Sequence, residues 1–403
     1  MSMADDAAED AADAAVDITT PKRKKLKAAV TARRSSMADP PVPTKDLLSC
    51  GATLGNLAAS GRIQGAFCKG RYHFYVGDSG SGKTMLCLGL FAEATHNKNF
   101  DDYRLIYDNA EDGALMEIEK FFGKKCAERL EPPSVDANGG AVYSTTIEDF
   151  YYNLYNALTH TVKEQVVQAD GKKKSVDRNK PCIYVLDSMD SLDSEYSGKK
   201  FLEGKREWDG GPKAKGDYGD GKAKKNSQNA RKITAMLRDT RSILVVICQT
   251  RDNIDADMFE PDQTFAGGRA IKFYAALEMW TSIAKRLKRS VNGHDRQIGI
   301  VTRVTVKKNR LTGKEWSVTV PMYWSSGVDD VGSMVDFLVD EKHWKRNQDG
   351  IIKADEFKHI AGREALIQYI EAENLEKDLQ QITADVFNEI VEACKVERKP
   401  RYS

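Results

Sequence analysis

Residues 77–84 read Gly77-Asp78-Ser79-Gly80-Ser81-Gly82-Lys83-Thr84 and match the pattern Gly-x-x-x-x-Gly-Lys-Ser/Thr in full. The residue types suit one chemistry. Glycines let the backbone curl so that its N–H groups point inward at phosphate oxygens. A helix beginning at the lysine adds a favourable dipole. Lys83 then reaches the β- and γ-phosphates, and the Thr84 hydroxyl serves as a ligand to Mg²⁺. Such a loop binds ATP or GTP. Its usual companion is an acid at the end of a buried strand, and Asp187 closes the run CIYVLD in that way. Asp190 and Asp193 lie further along and are less well placed. Hydrolysis also needs a group that orients or deprotonates water. Glu111, in DNAED just beyond the run RLIYD, is one candidate, with Asp108 and Asp112 as rivals. Gln249 ends the apolar run SILVVICQ, where an amide either senses the γ-phosphate or caps the strand end.

These residues need a scaffold, and the apolar pattern supplies one. The expected strands are HFYVG (73–77), RLIYD (104–108), CIYVLD (182–187) and SILVVICQ (242–249). Helical patterns at 85–94, 148–166 and 224–241 alternate with them. Continuous apolar strands interleaved with helices predict an α/β fold, a mostly parallel sheet covered on both faces. The later runs 277–283, 299–310 and 317–324 predict antiparallel strands at one edge, the last two joined by a turn at 313–314. A helix is expected over 331–341, and residues 355–398 read as helical. Two segments read as loops: the polar 168–180 and the Gly/Lys-rich 197–225, which holds nine basic residues against five acids. The expected organisation is a charged arm at 1–44, flexible or partly helical, a core at 45–340 and a small helical unit at 341–403.

The chain has 403 residues, 41% of them hydrophobic and 30% charged, which excludes wholesale disorder. It contains no apolar run long enough to span a membrane, and no N-terminal signal segment is expected. Seven cysteines, widely spread and never spaced as CxxC, read as reduced packing residues of a reducing compartment. Lys plus Arg total 61 and Asp plus Glu total 60, giving a net charge of +1. That sum hides segregation. Residues 1–20 carry six acids and no base, and residues 21–36 carry seven bases and no acid. The KRKK of 22–25 reads as a nuclear-import signal, a phosphate-binding patch or a solvated tail. Lys199, Lys200, Lys205, Arg206, Lys213, Lys215, Lys222, Lys224 and Lys225 crowd the first long loop, interleaved with Tyr196, Phe201, Trp208 and Tyr218. Lysines that track a phosphate backbone and aromatic rings that stack on bases suit single-stranded nucleic acid; a solvated insertion is the plainer alternative.

Several segments in order resemble the RecA family of ATP-dependent recombinases, most closely the divergent RecA-like proteins of phages, over roughly residues 46–340. They are the loop GDSGSGKT, VLDS (185–188), ICQTRDNI (247–254), FAGGRAIKFYAALEMW (265–280), RVTVKKNR (303–310) and GVDDVGSMVDF (327–337). The resemblance implies a RecA-like P-loop NTPase core using ATP and Mg²⁺, in which Lys83, Thr84 and Asp187 hold nucleotide and metal. It favours Glu111 as the catalytic acid, although the spacing here carries one extra residue. It makes Gln249 the link between the γ-phosphate and a DNA loop at 250–266, with Arg251 within that loop and Gly267, Gly268 and Arg269 where it rejoins the core. The segment 194–225 would contain the other DNA loop. Lys308 and Arg310 would reach across a subunit interface to the neighbour's ATP, with arginine standing where lysine is expected. The implied function is a DNA-dependent ATPase that forms a homo-oligomeric filament on single-stranded DNA, pairs it with a duplex and exchanges strands, in the cytoplasm of a bacterial or phage-infected cell. A helicase or recombination regulator without strand exchange is the alternative. The loop at 250–266 departs from the expectation, because Asp252, Asp255, Asp257, Glu260 and Asp262 face Arg251 alone.

Overall fold

The structure is a computed structural model that describes residues 42–113, 117–167, 173–209, 222–252, 263–265 and 272–398. The expectations for the arm at 1–44 therefore fall almost wholly outside the described residues. Strands β1 (Arg71–Gly77), β2 (Arg104–Asp108), β3 (Cys182–Leu186), β4 (Ile243–Asp252), β5 (Leu277–Val291), β6 (His294–Asn309), β7 (Ser317–Tyr323) and β8 (Gly327–Val328) share one sheet in the order β8-β7-β6-β5-β1-β4-β3-β2. The five strands from β5 to β2 along that order are parallel to their neighbours. β5, β6, β7 and β8 pair antiparallel, forming the expected edge. The short strand Gln263–Phe265 also pairs with β4.

Alternation along the strands explains the layers, since successive side chains point to opposite faces. Ile243, Val245 and Ile247 of β4 pack with α1 (Thr53–Ser60) and α2 (Lys83–His96). Leu244, Val246 and Cys248 pack on the other face with α3 (Ile147–Thr159) and Ile233 and Leu237 of α5 (Lys222–Thr240). A sheet buried on both sides is what the unbroken apolar runs required. α3 starts at a capping box: Thr146 Oγ1 accepts from Asp149 N–H at 3.1 Å, and Asp149 Oδ2 accepts from Thr146 N–H at 3.0 Å.

Four readings need correction. The helix expected through residue 166 stops at Thr159, and Thr161–Val167 pairs with Lys173–Asn179 as a hairpin, so 168–180 is not wholly loop. The β-branched Thr161, Val162, Val166 and Val167 favour a strand, and the Asp170-Gly171 pair is a common hairpin signal. The loop expected over 197–225 begins instead as helix α4 (Glu195–Trp208). Ser194 caps it by accepting from Ser197 N–H at 3.2 Å, and Lys205 and Arg206 complement its last turn. β5 and β6 run well past their expected ends into a long hairpin turned by Asn292 (φ 53°) and Gly293 (φ 75°). Finally, the C-terminal region is not all helix. A three-stranded sheet, Lys345–Arg346, Ile351–Ala354 and His359–Gly362, precedes α7 (Arg363–Ala372) and α8 (Glu376–Ala393). Its core of Trp344, Ile352, Leu366 and Ile370 is shared with Met334, Val335 and Leu338 of α6 (Asp330–Asp340).

Six of the seven cysteines are buried free thiols, and Cys394 is exposed. Among the described residues no helix is long and apolar enough to cross a membrane.

Candidate functional site

The phosphate loop joins β1 to α2 at the carboxyl edge of the sheet, where open α/β sheets bind ligands. Its glycines are needed for space as well as for conformation. A Cβ on Gly77 would lie 2.3 Å from the backbone oxygen of Thr281, and one on Gly82 (φ 93°) would lie 2.6 Å from Met322 Sδ. The loop is tied to the neighbouring strands. Ser81 Oγ sits 2.7 Å from Thr281 Oγ1 on β5, and Thr302 Oγ1 on β6 donates to Ser81 O at 2.9 Å.

Lys83 Nζ donates to the carbonyls of Gly77 (2.8 Å) and Asp78 (2.7 Å). Burial lowers its pKa, and the carboxylates of Asp187, Glu111 and Asp78 work against that. Thr84 Oγ1 donates to Asp187 Oδ2 at 2.7 Å. The Tyr107 hydroxyl donates to the same oxygen at 2.9 Å. Burial raises the Asp187 pKa, and these two hydroxyl donors oppose the rise by favouring the charged form. The backbone ties the acids together, since Glu111 N–H donates to Asp187 O at 2.9 Å.

The rival acids separate. Asp108 is buried and spent: its carboxylate accepts from Ser144 N–H (2.9 Å), Ser144 Oγ (2.6 Å) and the Tyr184 hydroxyl (2.6 Å). Asp112 lies in an exposed turn with φ 51°. Glu111 is exposed at the cavity and accepts from Gln249 Nε2 at 3.2 Å. Gln249 is level with Gly77 across β4 and β1, and its N–H donates to Asp190 Oδ2 at 2.6 Å. The next residue, Thr250, donates through its hydroxyl to the Asp78 carboxylate. The Asp193 carboxylate accepts from Ser194 N–H at 2.8 Å, and its backbone bonds to Thr145 and Ile147. Ser79, Gly80, Lys83, Thr84, Glu111, Asp187 and Gln249 thus line one cavity of about 260 Å³. Its far wall is Met322, Tyr323 and the exposed Trp324.

Lys308 and Arg310 lie elsewhere. Lys308 Nζ donates to the carbonyls of Lys272 and of Phe273 (3.0 Å), and Arg310 Nη2 donates to Phe273 O at 2.6 Å. Neither lines the cavity around Lys83. Lys199, Lys200, Lys205 and Arg206 are carried by α4, where Phe201 and Trp208 are 73% and 89% exposed. Lys213, Lys215, Gly267, Gly268 and Arg269 lie outside the described residues, while Lys222 and Arg251 are described as backbone of α5 and β4 only.

Sequence reasoning missed three features. Tyr107 looked like an ordinary strand aromatic. The wall of Met322, Tyr323 and Trp324 depends on β7 folding back beside the loop. The hairpin of β5 and β6 exposes Lys285, Arg286, Lys288, Arg289 and Arg296, and the Asn292-Gly293 pair could have found it. A larger cavity of about 400 Å³ lies between α1, the end of α2 and Gln380. Its Asp330 accepts from the N–H (2.6 Å) and hydroxyl (2.7 Å) of Thr53, so it holds the start of α1.

The residues fit a nucleoside triphosphate with Mg²⁺. Gly77 and Gly82 let the loop curl tightly against Thr281 and Met322 where a Cβ would clash, a buried ammonium stands within the loop, and Thr84 and Asp187 offer the hard oxygen donors that Mg²⁺ prefers.

Residues 204–329 match the model of the RecA N-terminal domain. The curated proteins named Protein RecA from Ureaplasma parvum and Streptococcus pyogenes are 31% and 30% identical over 121 and 129 residues, or 30% and 31% of this chain. Those matches cover 35% and 34% of the relatives. Protein RecA of Lactococcus lactis is 29% identical over 186 residues, 44% of this chain and 45% of the relative. The chain thus spans between a third and a half of the length of the curated relatives it matches. The matched stretch runs from within α4 to β8, the part that carries Gln249, the basic hairpin and the far wall of the cavity around Lys83, and over that stretch the chain is similar to the RecA N-terminal domain.

Proposed function

We propose that this protein is a DNA-dependent ATPase of the recombinase type, which forms a filament on single-stranded DNA and pairs it with a homologous duplex. The observation that carries the reading is the meeting of Lys83, Thr84, Asp187, Glu111 and Gln249 in one cavity, three of them drawn from strands or strand ends far apart in sequence. Residues 45–340 act as the motor and 341–403 as an accessory unit.

In this reading Lys83 exchanges its two carbonyl partners for the β- and γ-phosphate oxygens, while backbone N–H groups of residues 78–84 take the remaining charge. Thr84 and Asp187 hold Mg²⁺, which when bound neutralises phosphate charge. Glu111 accepts a proton from the attacking water as the bond between the γ-phosphorus and its bridging oxygen breaks, leaving ADP and phosphate. Gln249 loses or keeps its bond to Glu111 according to the phosphate present, and so reports nucleotide state to the strand that leads into residues 253–262. Lys308 and Arg310 act on a neighbouring copy's nucleotide.

DNA runs along α4 and the basic hairpin. Lys199, Lys200, Lys205 and Arg206 contact phosphates, and Phe201 and Trp208 stack on bases. Lys213, Lys215, Lys222, Arg251, Gly267, Gly268 and Arg269 extend this path. The protein acts where DNA is found, in the cytoplasm of a bacterial or phage-infected cell.

The test is ATP hydrolysis with and without single-stranded DNA, paired with electron microscopy of the ATP complex. DNA is expected to stimulate hydrolysis at least several-fold and to nucleate filaments, and Lys83→Ala to abolish both. Hydrolysis unchanged by DNA would sink the recombinase reading. Stimulation without strand exchange would leave the helicase or regulator.

A further inference from the structure

Tyr107 carries a hydroxyl beside the cavity, bonded to Asp187, that the mechanism above leaves without a task. It stands on β2, with Tyr107 level with Val185 and Asp108 level with Leu186 of β3. From there its phenol crosses to the residue that follows β3 and donates to Asp187 Oδ2 at 2.9 Å. The oxygen is the same one that receives the Thr84 hydroxyl at 2.7 Å. Two donors on Oδ2 fix the carboxylate rotamer and leave Oδ1 for a cation or its water shell. Thr84, whose hydroxyl donates its hydrogen bond to Asp187, keeps oxygen lone pairs for a metal. The ring is held independently of its hydroxyl. It packs edge-on against Phe91 of α2, centroids 6.4 Å apart, so the helix that carries Thr84 also braces Tyr107.

We infer that Tyr107 is a positioning residue for the magnesium carboxylate, orienting Asp187 through the phenol hydroxyl. The inference rests on the nucleotide-site reading above. Hydrogen-bonding partners behind a metal ligand govern metal affinity as well as ligand geometry, and their loss weakens metal binding by roughly 10- to 100-fold. The phenol is not itself a ligand, so its removal leaves nucleotide binding in the absence of metal untouched.

Tyr107→Phe keeps the ring and deletes the donor. The experiment measures Mn²⁺ binding to the protein–ATP complex by electron paramagnetic resonance, alongside ATP binding in EDTA and thermal melting. The expected result is a roughly 10-fold weaker Mn²⁺ affinity, with ATP affinity in EDTA and melting temperature close to wild type. Unchanged Mn²⁺ affinity would overturn the inference, and a lowered melting temperature with unchanged Mn²⁺ affinity would make the hydrogen bond structural only. If Tyr107→Phe does not fold, Tyr107→Leu carries the same measurement. Wild-type protein that binds no ATP would instead remove the nucleotide-site reading, so the two failures are distinguishable.

Discussion

Asp108 and Glu111 lie three residues apart, and the sequence offers both as acids beside a phosphate loop. Their surroundings divide the roles. Asp108 accepts three hydrogen bonds from Ser144 and Tyr184 inside the core, whereas Glu111 stands at the cavity with the Gln249 amide. Asp108→Ala would strand the Tyr184 hydroxyl and Ser144, and is expected to cost roughly 2–4 kcal/mol of stability in denaturant titration. Glu111→Gln is expected to leave stability unchanged and ATP bound, while ATP hydrolysis falls by roughly 100-fold or more. If Glu111→Gln hydrolyses ATP normally, the assignment of the water-activating acid is wrong. At this scale the phosphate loop was fully legible, because its chemistry is local in sequence. The Asp187 partners were not, because Tyr107 reaches that carboxylate only through the pairing of β2 with β3.

Among the elements, the strands of the parallel sheet could be read directly, since burial on both faces leaves unbroken apolar runs. The hairpin of β5 and β6 was half visible. Its inner half enters the core, with Leu277 to Thr281 buried without a break, while its outer half, from Lys285 to Arg296, is mostly exposed and polar apart from Leu287 and Val291 and gives no burial signal. That outer half places five basic side chains on an exposed ribbon, and among the described residues only Lys288 of these lies in ion-pair range of an acid, 4.0 Å from Asp295. Replacing Lys285, Arg286 and Arg289 with glutamate is expected to weaken single-stranded DNA binding and to flatten its salt dependence, because each lost phosphate contact removes released counterions. Nucleotide binding should stay intact. DNA affinity and salt slope that match wild type would remove the hairpin from the DNA path. α4 eluded sequence reading for another reason. Gly198 and Gly204 lower helix propensity and read as loop, although Ser194 and the basic last turn carry ordinary start and stop signals.

For the molecule as a whole, the C-terminal region adds a separate hydrophobic cluster with its own acid-sensitive point. His343 Nε2 lies 2.5 Å from Glu356 Oε1, and Trp344 Nε1 donates to Glu356 Oε2 at 2.7 Å. The bond to His343, followed by that to Trp344, holds the Glu356 carboxyl down at about 2 against an ordinary 4.5, outweighing its partial burial. A depressed folded-state pKa contributes stability above the unfolded value and loses it as pH falls toward the folded one. Thermal melts should therefore show wild type losing stability between pH 4.5 and about 2, and Glu356→Gln losing less over the same window. Parallel curves for the two proteins would remove Glu356 as a source of acid sensitivity.

The central strand also sets a timetable. Arg71 of β1 pairs with Ile243 of β4 on one side, and His73 pairs with Leu277 of β5 on the other. A ribosome making this chain finishes the phosphate loop long before either flanking strand exists. Until β5 emerges, β1 has no partner on that side, and Thr281 and Thr302 are not there to hold Ser81. The nascent chain thus carries an apolar strand with open edges through most of its synthesis, the state in which chains most need protection from aggregation. The cavity around Lys83 is completed late, when the last third of this sequence closes over a loop written in its first quarter.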